Sequence, residues 1–436
     1  MLSVRGDHRV ATATGCAGSV LITLGALLGR PGLVHVYAGL ALLLLAWWWP
    51  GELPRPWLTF ALWAGPLLIA PPLFSRDVYS YLAQGLMAGN GLDVHTRGPA
   101  ALGGPVAARV PEIWQDTPSP YGPVSLLVSR LVTEVTGSEP IAGVLGLRLT
   151  AVAGLVLIGL GLPALAGPAV EPVFRLVVLN PLVLIHLVGG AHNDALMVGL
   201  LVAGLAAALR RRPVLGVVLV TAGALVKAPA ALGLAAVALI WAARLPGRWP
   251  ELRAITATGL VAAAATVVIT AISGTGYGWI AALSTPVSPG NWAPVAVLGR
   301  WTAGTFTHDD VGASLAVDLW RWAGLLATLV VAGLVWTYRN RVGPLTGLGL
   351  VLLAAVAFAP AFRPWYMIWG LVPLAAGLPA ARRWLALLSI ALTPVVLPDG
   401  FAADLPEVLA AVLGVLLGTA VFALATTPGV PGKVPR

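Results

Sequence analysis

The chain has 436 residues, of which 58% are hydrophobic and only 10% are charged. A water-soluble domain of this size cannot cover its surface with so few charged side chains, so the composition predicts an all-α polytopic membrane protein. The net charge of +9 would suit a nucleic-acid partner, but arginine-rich cytoplasmic loops explain it more simply. The single cysteine, Cys16, excludes an intrachain disulfide.

Runs of apolar residues predict the membrane-spanning helices. In chain order they cover residues 13–29, 32–50, 57–74, 141–167, 176–190, 194–209, 214–227, 229–243, 254–273, 322–338, 344–360, 369–381, 384–398 and 407–425. Several runs are shorter than the roughly 20 residues that a full crossing needs. We therefore predict about 12–14 transmembrane helices in one domain that covers residues 1–426.

The basic residues predict the orientation of the chain in the membrane. When the N-terminus is placed in the cytoplasm and fourteen crossings are counted, most basic residues fall inside, including the cluster Arg210, Arg211 and Arg212. This predicts a protein of the plasma membrane with both termini in the cytoplasm. The Pro- and Gly-rich residues 427–436 are expected to form a disordered cytoplasmic tail.

The first large outer loop is predicted to cover residues 75–121. The segment that follows it, 122–137, is apolar enough to resemble a span, but it carries polar side chains at roughly helical spacing. We interpret it as a juxtamembrane helix, because counting it as a span would place the main arginine cluster outside. Residues 78–88 are aromatic and amphipathic, and they are expected to lie along the membrane surface as a second such helix.

Arg76 and Asp77 follow directly after the third apolar run. One interpretation is a pair of charges that marks a helix end at the membrane surface. The other is a reaction centre in which Asp77 is the general base and Arg76 is available for a phosphate. The length of the loop behind them favours the second interpretation, because a connector rarely needs so many residues.

The proline-rich segment of residues 114–123 is predicted to bind sugar. Trp114 and Tyr121 offer flat apolar faces on which sugar rings stack, and Asp116 offers a carboxylate for hydroxyl groups. The alternative is a rigid turn that leads into the juxtamembrane helix.

His192, Asn193 and Asp194 stand together at the start of an apolar run. Polar residues in such a position usually face an interior cavity, so we predict that they contact the acceptor sugar. Asp194 fits equally well as the N-cap of the following helix. One histidine and one carboxylate are a weak metal signal, so no metal site is predicted.

Lys227 interrupts a long apolar stretch, and Arg363 lies beside Trp365 and Tyr366 at a predicted outer boundary. Each cation either extends towards the membrane surface or binds the phosphate of a lipid-linked substrate. The two aromatic residues are predicted to contact sugar. The sequence carries none of the nucleotide-binding motifs, so an activated sugar would arrive on a lipid carrier.

Four motifs resemble, in the same order, those of the actinobacterial polyprenol-phosphomannose-dependent α-(1→6)-mannosyltransferases, which belong to the GT-C class of glycosyltransferases. The motifs are SRDVYSY at residues 75–81, DTPSPYGP at 116–123, HNDALM at 192–197 and PWY at 364–366. The resemblance extends from about residue 57 to residue 380.

The resemblance implies a GT-C fold with two juxtamembrane helices in the first large outer loop and an active site outside the cytoplasm. It implies transfer of mannose from polyprenyl phosphomannose to a lipid-linked mannoside acceptor, with inversion, in the synthesis of lipomannan and lipoarabinomannan. The family's essential carboxylate falls on Asp77, and Arg76, Lys227 and Arg363 would contact the donor phosphate. The loop has no D-x-D motif, so no cofactor is expected to be required, although a divalent cation remains compatible with the sequence.

A transporter or flippase of a lipid-linked saccharide is the main alternative. It would explain the many spans and the charges between them. It would not explain a long, aromatic and proline-stiffened outer loop, because a transporter concentrates its polar groups near the middle of the membrane. The sequence therefore favours the glycosyltransferase.

Overall fold

The computed structural model describes residues 8–51, 53–283, 292–307, 309–395 and 404–426. All regular elements in these ranges are helical, which confirms the predicted all-α class. The tail predicted at residues 427–436 lies outside the described residues.

The first elements are three apolar helices. They are α1 (His8–Leu27), α2 (Leu33–Trp48) and α3 (Pro56–Ala64). Helix α1 packs along α2, and α2 also packs against the last helix of the chain. The predicted third run is therefore a short helix followed by irregular backbone that leads to Asp77.

Four helices follow in the region of the predicted outer loop. They are α4 (Asp77–Gly89), α5 (Gly104–Ala107), α6 (Glu112–Gln115) and α7 (Pro123–Thr136). Helices α4 and α7 confirm the two predicted helices, and they pack directly on each other. Contact is close at Gly85, where an added Cβ would lie 2.5 Å from the carbonyl oxygen of Ser129. Their placement at the membrane surface stays a prediction.

The centre of the protein is built from the next group of helices. They are α8 (Pro140–Ala166), α9 (Val170–Val177), α10 (Pro181–Val183), a π-helix (Leu184–Gly189), α11 (Asp194–Leu209), α12 (Pro213–Ala224) and α13 (Gly233–Ala242). Helices α8 and α11 pack closely through small residues: a Cβ added to Gly199 would lie 2.6 Å from the carbonyl oxygen of Gly154.

Two breaks in these central helices place polar residues inside the protein. The segment Pro181–Gly189 and α11 are bent by 117° relative to each other, and residues 190–193 form the corner. Lys227 has extended backbone between α12 and a 3₁₀ turn, Ala228–Leu232. Backbone of this kind at membrane depth is stable only when protein or a cavity surrounds it.

The remaining helices follow in the second half of the chain. They are α14 (Pro250–Ser273), α15 (Trp279–Ala282), α16 (Pro294–Phe306), α17 (Asp310–Thr337), α18 (Arg339–Val342), α19 (Pro344–Ala357), a 3₁₀ turn (Pro364–Met367), α20 (Ile368–Gly377), α21 (Arg382–Leu392) and α22 (Leu405–Thr426).

Six helical stretches among the described residues are long and apolar enough to cross a membrane. They are His8–Leu27, Arg30–Trp48, Pro140–Val177, Pro250–Ser273, Asp310–Thr337 and Leu405–Thr426, and the bent pair that includes α11 adds a seventh. Three shorter apolar helices also coincide with predicted spans. The protein is thus a polytopic membrane protein, and the figure of 12–14 crossings stays a prediction.

Candidate active site

One cavity of about 330 Å³ is lined by six of the twelve residues that the sequence predicts for the site. Its walls come from α4, from the segment 114–121, from residues 227–229 and from residues 360–366. These segments are far apart in the sequence, and the breaks in the central helices bring them together. The cavity is large enough for a sugar ring and its substituents.

Asp77 lies on the cavity wall as the first residue of α4, and its side chain is half-buried. Trp114 Nε1 donates a hydrogen bond to Asp77 Oδ1 over 3.0 Å. The Asp77 backbone N–H donates to Ser75 Oγ over 3.1 Å. Burial raises the pKa of the Asp77 carboxyl, and the positive charge of Arg363 and the bond from Trp114 partly oppose this rise. A raised pKa at a group in a cavity is typical of an acid–base residue.

Phe74, three residues before Asp77, has a φ of 60° and is buried against the ring of His186. Such a backbone conformation is rare for a bulky side chain. The surrounding packing must hold it, and this conformation turns the chain into α4 immediately before the carboxylate.

Arg148, in the middle of α8, holds the backbone that leads to both predicted acidic groups. Its guanidinium is 1% exposed and donates to the carbonyl oxygens of residues 68, 70 and 71 and to that of Gly189. Residues 68–71 precede Asp77, and Gly189 ends the π-helix before the His192 corner. One buried side chain therefore joins the backbone before Asp77 to the end of the π-helix.

Lys227 also lines the cavity, and its ammonium group lies in a polar cage. Lys227 Nζ donates to both carboxylate oxygens of Asp194, each over 3.0 Å. It also lies 4.3 Å from the centre of the Tyr366 ring, within the range of a cation–π contact. Arg363 and Tyr366 line the same cavity.

Asp194 is the first residue of α11 and is fully buried. It makes no capping bond to its own helix, so the N-cap interpretation does not describe its contacts. Its Oδ1 accepts a further hydrogen bond from Trp369 Nε1 over 2.6 Å. The carboxylate is thus occupied by Lys227 and Trp369.

His192 is also buried, behind the cavity rather than on its wall. Its Nδ1 is 3.2 Å from the hydroxyl oxygen of Tyr81, and its ring stacks on Trp365 at 4.0 Å. Tyr81 does line the cavity and meets Tyr121 edge to face. His192 therefore orients a cavity residue instead of entering the cavity.

The structure separates the predicted site residues into two groups. Those that line the cavity are Asp77, Trp114, Tyr121, Lys227, Arg363 and Tyr366, and those that do not are Arg76, Asp116, His192, Asn193, Asp194 and Trp365. Arg76 is exposed and donates to the carbonyl oxygen of Arg109 over 2.7 Å. Asp116 is exposed, and Asn193 donates to Ser125 Oγ over 3.1 Å.

Several residues of the site are missing from the sequence prediction. Ser80, Tyr81 and Gln84 line the cavity, and their spacing from Asp77 on a helix would have indicated them. Arg148 is a lone arginine in an apolar run, which is itself a signal of a buried functional contact. Trp369 gave no comparable signal, because tryptophan is common in apolar runs near membrane boundaries.

Among the described residues, no group of three or more His, Cys, Asp or Glu side chains is placed to hold a metal ion. Whether the protein needs a metal therefore stays a prediction from the sequence.

Comparison with known families identifies the chain's relatives. Residues 28–243 match the family described as "Alpha-(1->6)-mannopyranosyltransferase, N-terminal domain", and residues 294–426 match the "MptB C-terminal domain". The chain belongs to the α-(1→6)-mannopyranosyltransferase family. The N-terminal match carries Asp77, Asp194 and Lys227, and the C-terminal match carries Arg363 and Tyr366. The cavity therefore draws on both conserved domains of the family.

Two curated relatives illustrate the similarity. Alpha-(1->6)-mannopyranosyltransferase A of Mycobacterium tuberculosis is 37% identical over 352 residues, which cover 76% of this chain and 66% of that protein. Alpha-(1->6)-mannopyranosyltransferase B of Corynebacterium glutamicum is 33% identical over 400 residues, covering 84% of this chain and 66% of the relative. The chain thus spans about two thirds of the length of these relatives.

Proposed function

We propose that this protein is a membrane mannosyltransferase that forms α-(1→6) linkages. The donor is polyprenyl phosphomannose, and the acceptor is a lipid-linked mannoside of the lipomannan and lipoarabinomannan core. Membership of the α-(1→6)-mannopyranosyltransferase family supports the reaction type. The protein lies in the plasma membrane with its termini in the cytoplasm, and the active site faces outward, as the distribution of basic residues predicts.

The single observation that carries this proposal is the arrangement of charges around one cavity. The half-buried Asp77 carboxylate and the cations of Lys227 and Arg363 line the same cavity, and both cations act electrostatically on the carboxylate. Transfer of a sugar from a lipid phosphate needs a base for the acceptor and positive charge for the leaving phosphate. The cavity provides both within the same space.

The reaction follows as a single displacement. Asp77 accepts the proton of the acceptor's 6-hydroxyl while that oxygen forms a bond to the anomeric carbon of mannose. The bond from the anomeric carbon to the phosphate oxygen breaks, and its electron pair leaves with the polyprenyl phosphate. Lys227 and Arg363 stabilise the charge that develops on this phosphate. One displacement inverts the anomeric centre, so a β-linked donor gives an α-linked product.

The aromatic residues of the cavity fit the sugar rings. Trp114, Tyr121 and Tyr366 all line the cavity. Aromatic faces stack on the C–H faces of a sugar, while hydroxyl groups bond to the polar side chains. This arrangement places a mannose unit between the base and the phosphate-binding cations.

Reconstitution in proteoliposomes tests the proposed function. We expect the purified protein to transfer labelled mannose from polyprenyl phosphomannose to a synthetic α-mannoside, with formation of an α-(1→6) bond that product analysis identifies. Movement of the labelled lipid across the bilayer without a new glycosidic bond would contradict the proposal and favour the flippase.

A further inference from the structure

Lysine is nearly absent from this chain. Lysine and arginine together number 26, yet lysine stands only at positions 227 and 433. At nearly every basic position the chain therefore uses arginine, including the cytoplasmic clusters. A lysine in the cavity wall consequently indicates a position whose contacts suit an ammonium group rather than a guanidinium group.

The contacts of Lys227 explain this choice. Both oxygens of Asp194 accept from Lys227 Nζ over 3.0 Å, and the face of Tyr366 lies 4.3 Å away. An ammonium group is compact and fits between a carboxylate and a ring, whereas a planar guanidinium is larger and points its donors in fixed directions.

The groups behind Lys227 are themselves fixed. Asp194 is fully buried and takes a third hydrogen bond, of 2.6 Å, from Trp369 Nε1. The Trp369 ring stacks on Tyr366 at 4.4 Å. Asp194, Tyr366 and Trp369 thus form one packed unit, which we name the lysine cradle.

We propose that the lysine cradle is a positioning device: Asp194 and Trp369 hold the Lys227 ammonium charged and aimed at the cavity, and they do not bind the acceptor sugar. This inference rests on the proposed function, because it gives Asp194 a role in phosphate binding through Lys227. It replaces the sugar-binding role that the sequence predicted for Asp194.

Burial supports this division of roles. Asp194 has no exposed surface and Trp369 is 6% exposed, whereas Lys227 reaches the cavity wall. A buried ammonium without a counter-charge is strongly unfavourable, so the carboxylate keeps Lys227 charged. The other ionisable groups that interact electrostatically with Lys227 are Tyr121, Tyr366, Asp77 and His192. Tyr81 and Arg363 also line the cavity.

The first test measures transfer with matched variants. We expect Asp194→Asn to lower kcat/KM for polyprenyl phosphomannose on the order of 100-fold, since it leaves a buried charge without its partner. Lys227→Arg is expected to lose on the order of 10-fold, although it keeps the charge. Trp369→Phe keeps the ring and the counter-charge and is expected to lose only a few-fold. Asp318→Asn, at an exposed ion pair with Arg321, serves as the control.

A double-mutant cycle separates positioning from sugar binding. If Asp194 acts only through Lys227, Asp194→Asn is expected to cause no further loss in a Lys227→Met background. KM for the mannoside acceptor is expected to stay unchanged in Asp194→Asn. Additive losses, or a raised acceptor KM, would overturn the inference in favour of direct contact with sugar.

A second measurement does not depend on activity. With only two lysines, selective ¹³Cε-lysine labelling gives two NMR signals, and Lys227→Met identifies one of them. In the wild type, the chemical shift of the Lys227 signal is expected to stay constant as the pH changes. In Asp194→Asn, the same signal is expected to shift over that pH range. Identical behaviour in both proteins would overturn the inference, even if the wild type transfers mannose. If the wild type transferred none, the proposed function would fail while this measurement still decided the role of the lysine cradle.

Discussion

The site contains two carboxylates in opposite environments: Asp77 lines the cavity, and Asp194 is buried behind it. Asp77 comes from a helix of the loop region, is half-buried, and has a neutral tryptophan N–H as its bonded neighbour. Asp194 comes from a central helix, is fully buried, and is held by a lysine ammonium and a second tryptophan. The Asp77 carboxylate is open to the cavity, whereas both oxygens of the Asp194 carboxylate already accept hydrogen bonds.

The difference between their surroundings suits the two aspartates to two different purposes in one site. A base must reach a substrate proton and must accept it readily. Asp77 lines the cavity, and its raised pKa makes it a stronger proton acceptor than an ordinary aspartate. A counter-charge must stay in place, and the three bonds to Asp194 hold it there. The following predictions test this contrast between Asp77 and Asp194 by substituting one residue of the site at a time.

The largest expected effect is the loss of the base. We expect Asp77→Asn to lower mannosyl transfer about 10²–10⁴-fold, because the amide cannot accept the acceptor's proton. The measurement is kcat/KM in proteoliposomes. Asp318→Asn is the matched control and should transfer at the wild-type rate, whereas full activity of Asp77→Asn would remove Asp77 from the proposed mechanism.

Arg148 is expected to have the next largest effect, since it joins the backbone before Asp77 to the end of the π-helix. Arg148→Met leaves four buried or partly buried carbonyl oxygens without this donor, and we expect a loss of unfolding free energy on the order of 3 kcal/mol or more. Thermal unfolding in detergent measures it. Arg148→Lys should recover part of the loss; an unchanged unfolding temperature in Arg148→Met would contradict the assigned contacts.

A moderate effect is expected at Arg363, which lines the cavity. Arg363→Gln should weaken stabilisation of the leaving phosphate and lower kcat/KM for the donor about 10- to 100-fold. The same substitution also removes a positive charge that favours the Asp77 carboxylate, so the acid limb of the pH profile should move to higher pH. If kcat/KM for the donor were unchanged in Arg363→Gln, Arg363 would have no role in phosphate binding, and Lys227 alone would keep that role.

The smallest expected effect is a pH shift from Trp114. Transfer requires ionised Asp77, so activity should fall as the pH drops through its raised pKa. Trp114→Phe removes the N–H that stabilises the carboxylate, and this should move the acid limb to higher pH with only a few-fold loss at its plateau. Trp384→Phe, at an exposed position, is the control. A shift of the acid limb to lower pH in Trp114→Phe would contradict the hydrogen bond from Trp114 to Asp77.

Much of the fold was predictable because apolar runs and amphipathic spacing are local properties. Helices α4 and α7 appear where the polar spacing placed them, and the long apolar helices coincide with predicted runs. The apolar pattern did not distinguish burial from lipid exposure. Helix α11 is buried almost all round, whereas α17 buries only Ala316 and Gly324, although both contain a long apolar run.

The candidate site was predictable in part. Asp77, Lys227 and Arg363 stand out as isolated charges beside apolar runs, and all three line the cavity. Asp116, which is exposed, and Asp194, which is buried, do not line the cavity. The same is true of Arg76, His192, Asn193 and Trp365. Adjacent polar residues in a sequence point in different directions on a folded chain, so a motif does not say which of its members reaches the cavity.

By itself, the sequence determined the class of the protein, the position of its most important charges and the chemistry these charges favour, because composition and local spacing carry that information. The tertiary structure alone decided that Asp77 is open and that Asp194 is committed to Lys227. The bonds that make this difference join Asp194 to residues 33 and 175 positions away. They form because two helix breaks bring distant backbone to one place, and no local pattern encodes that distance.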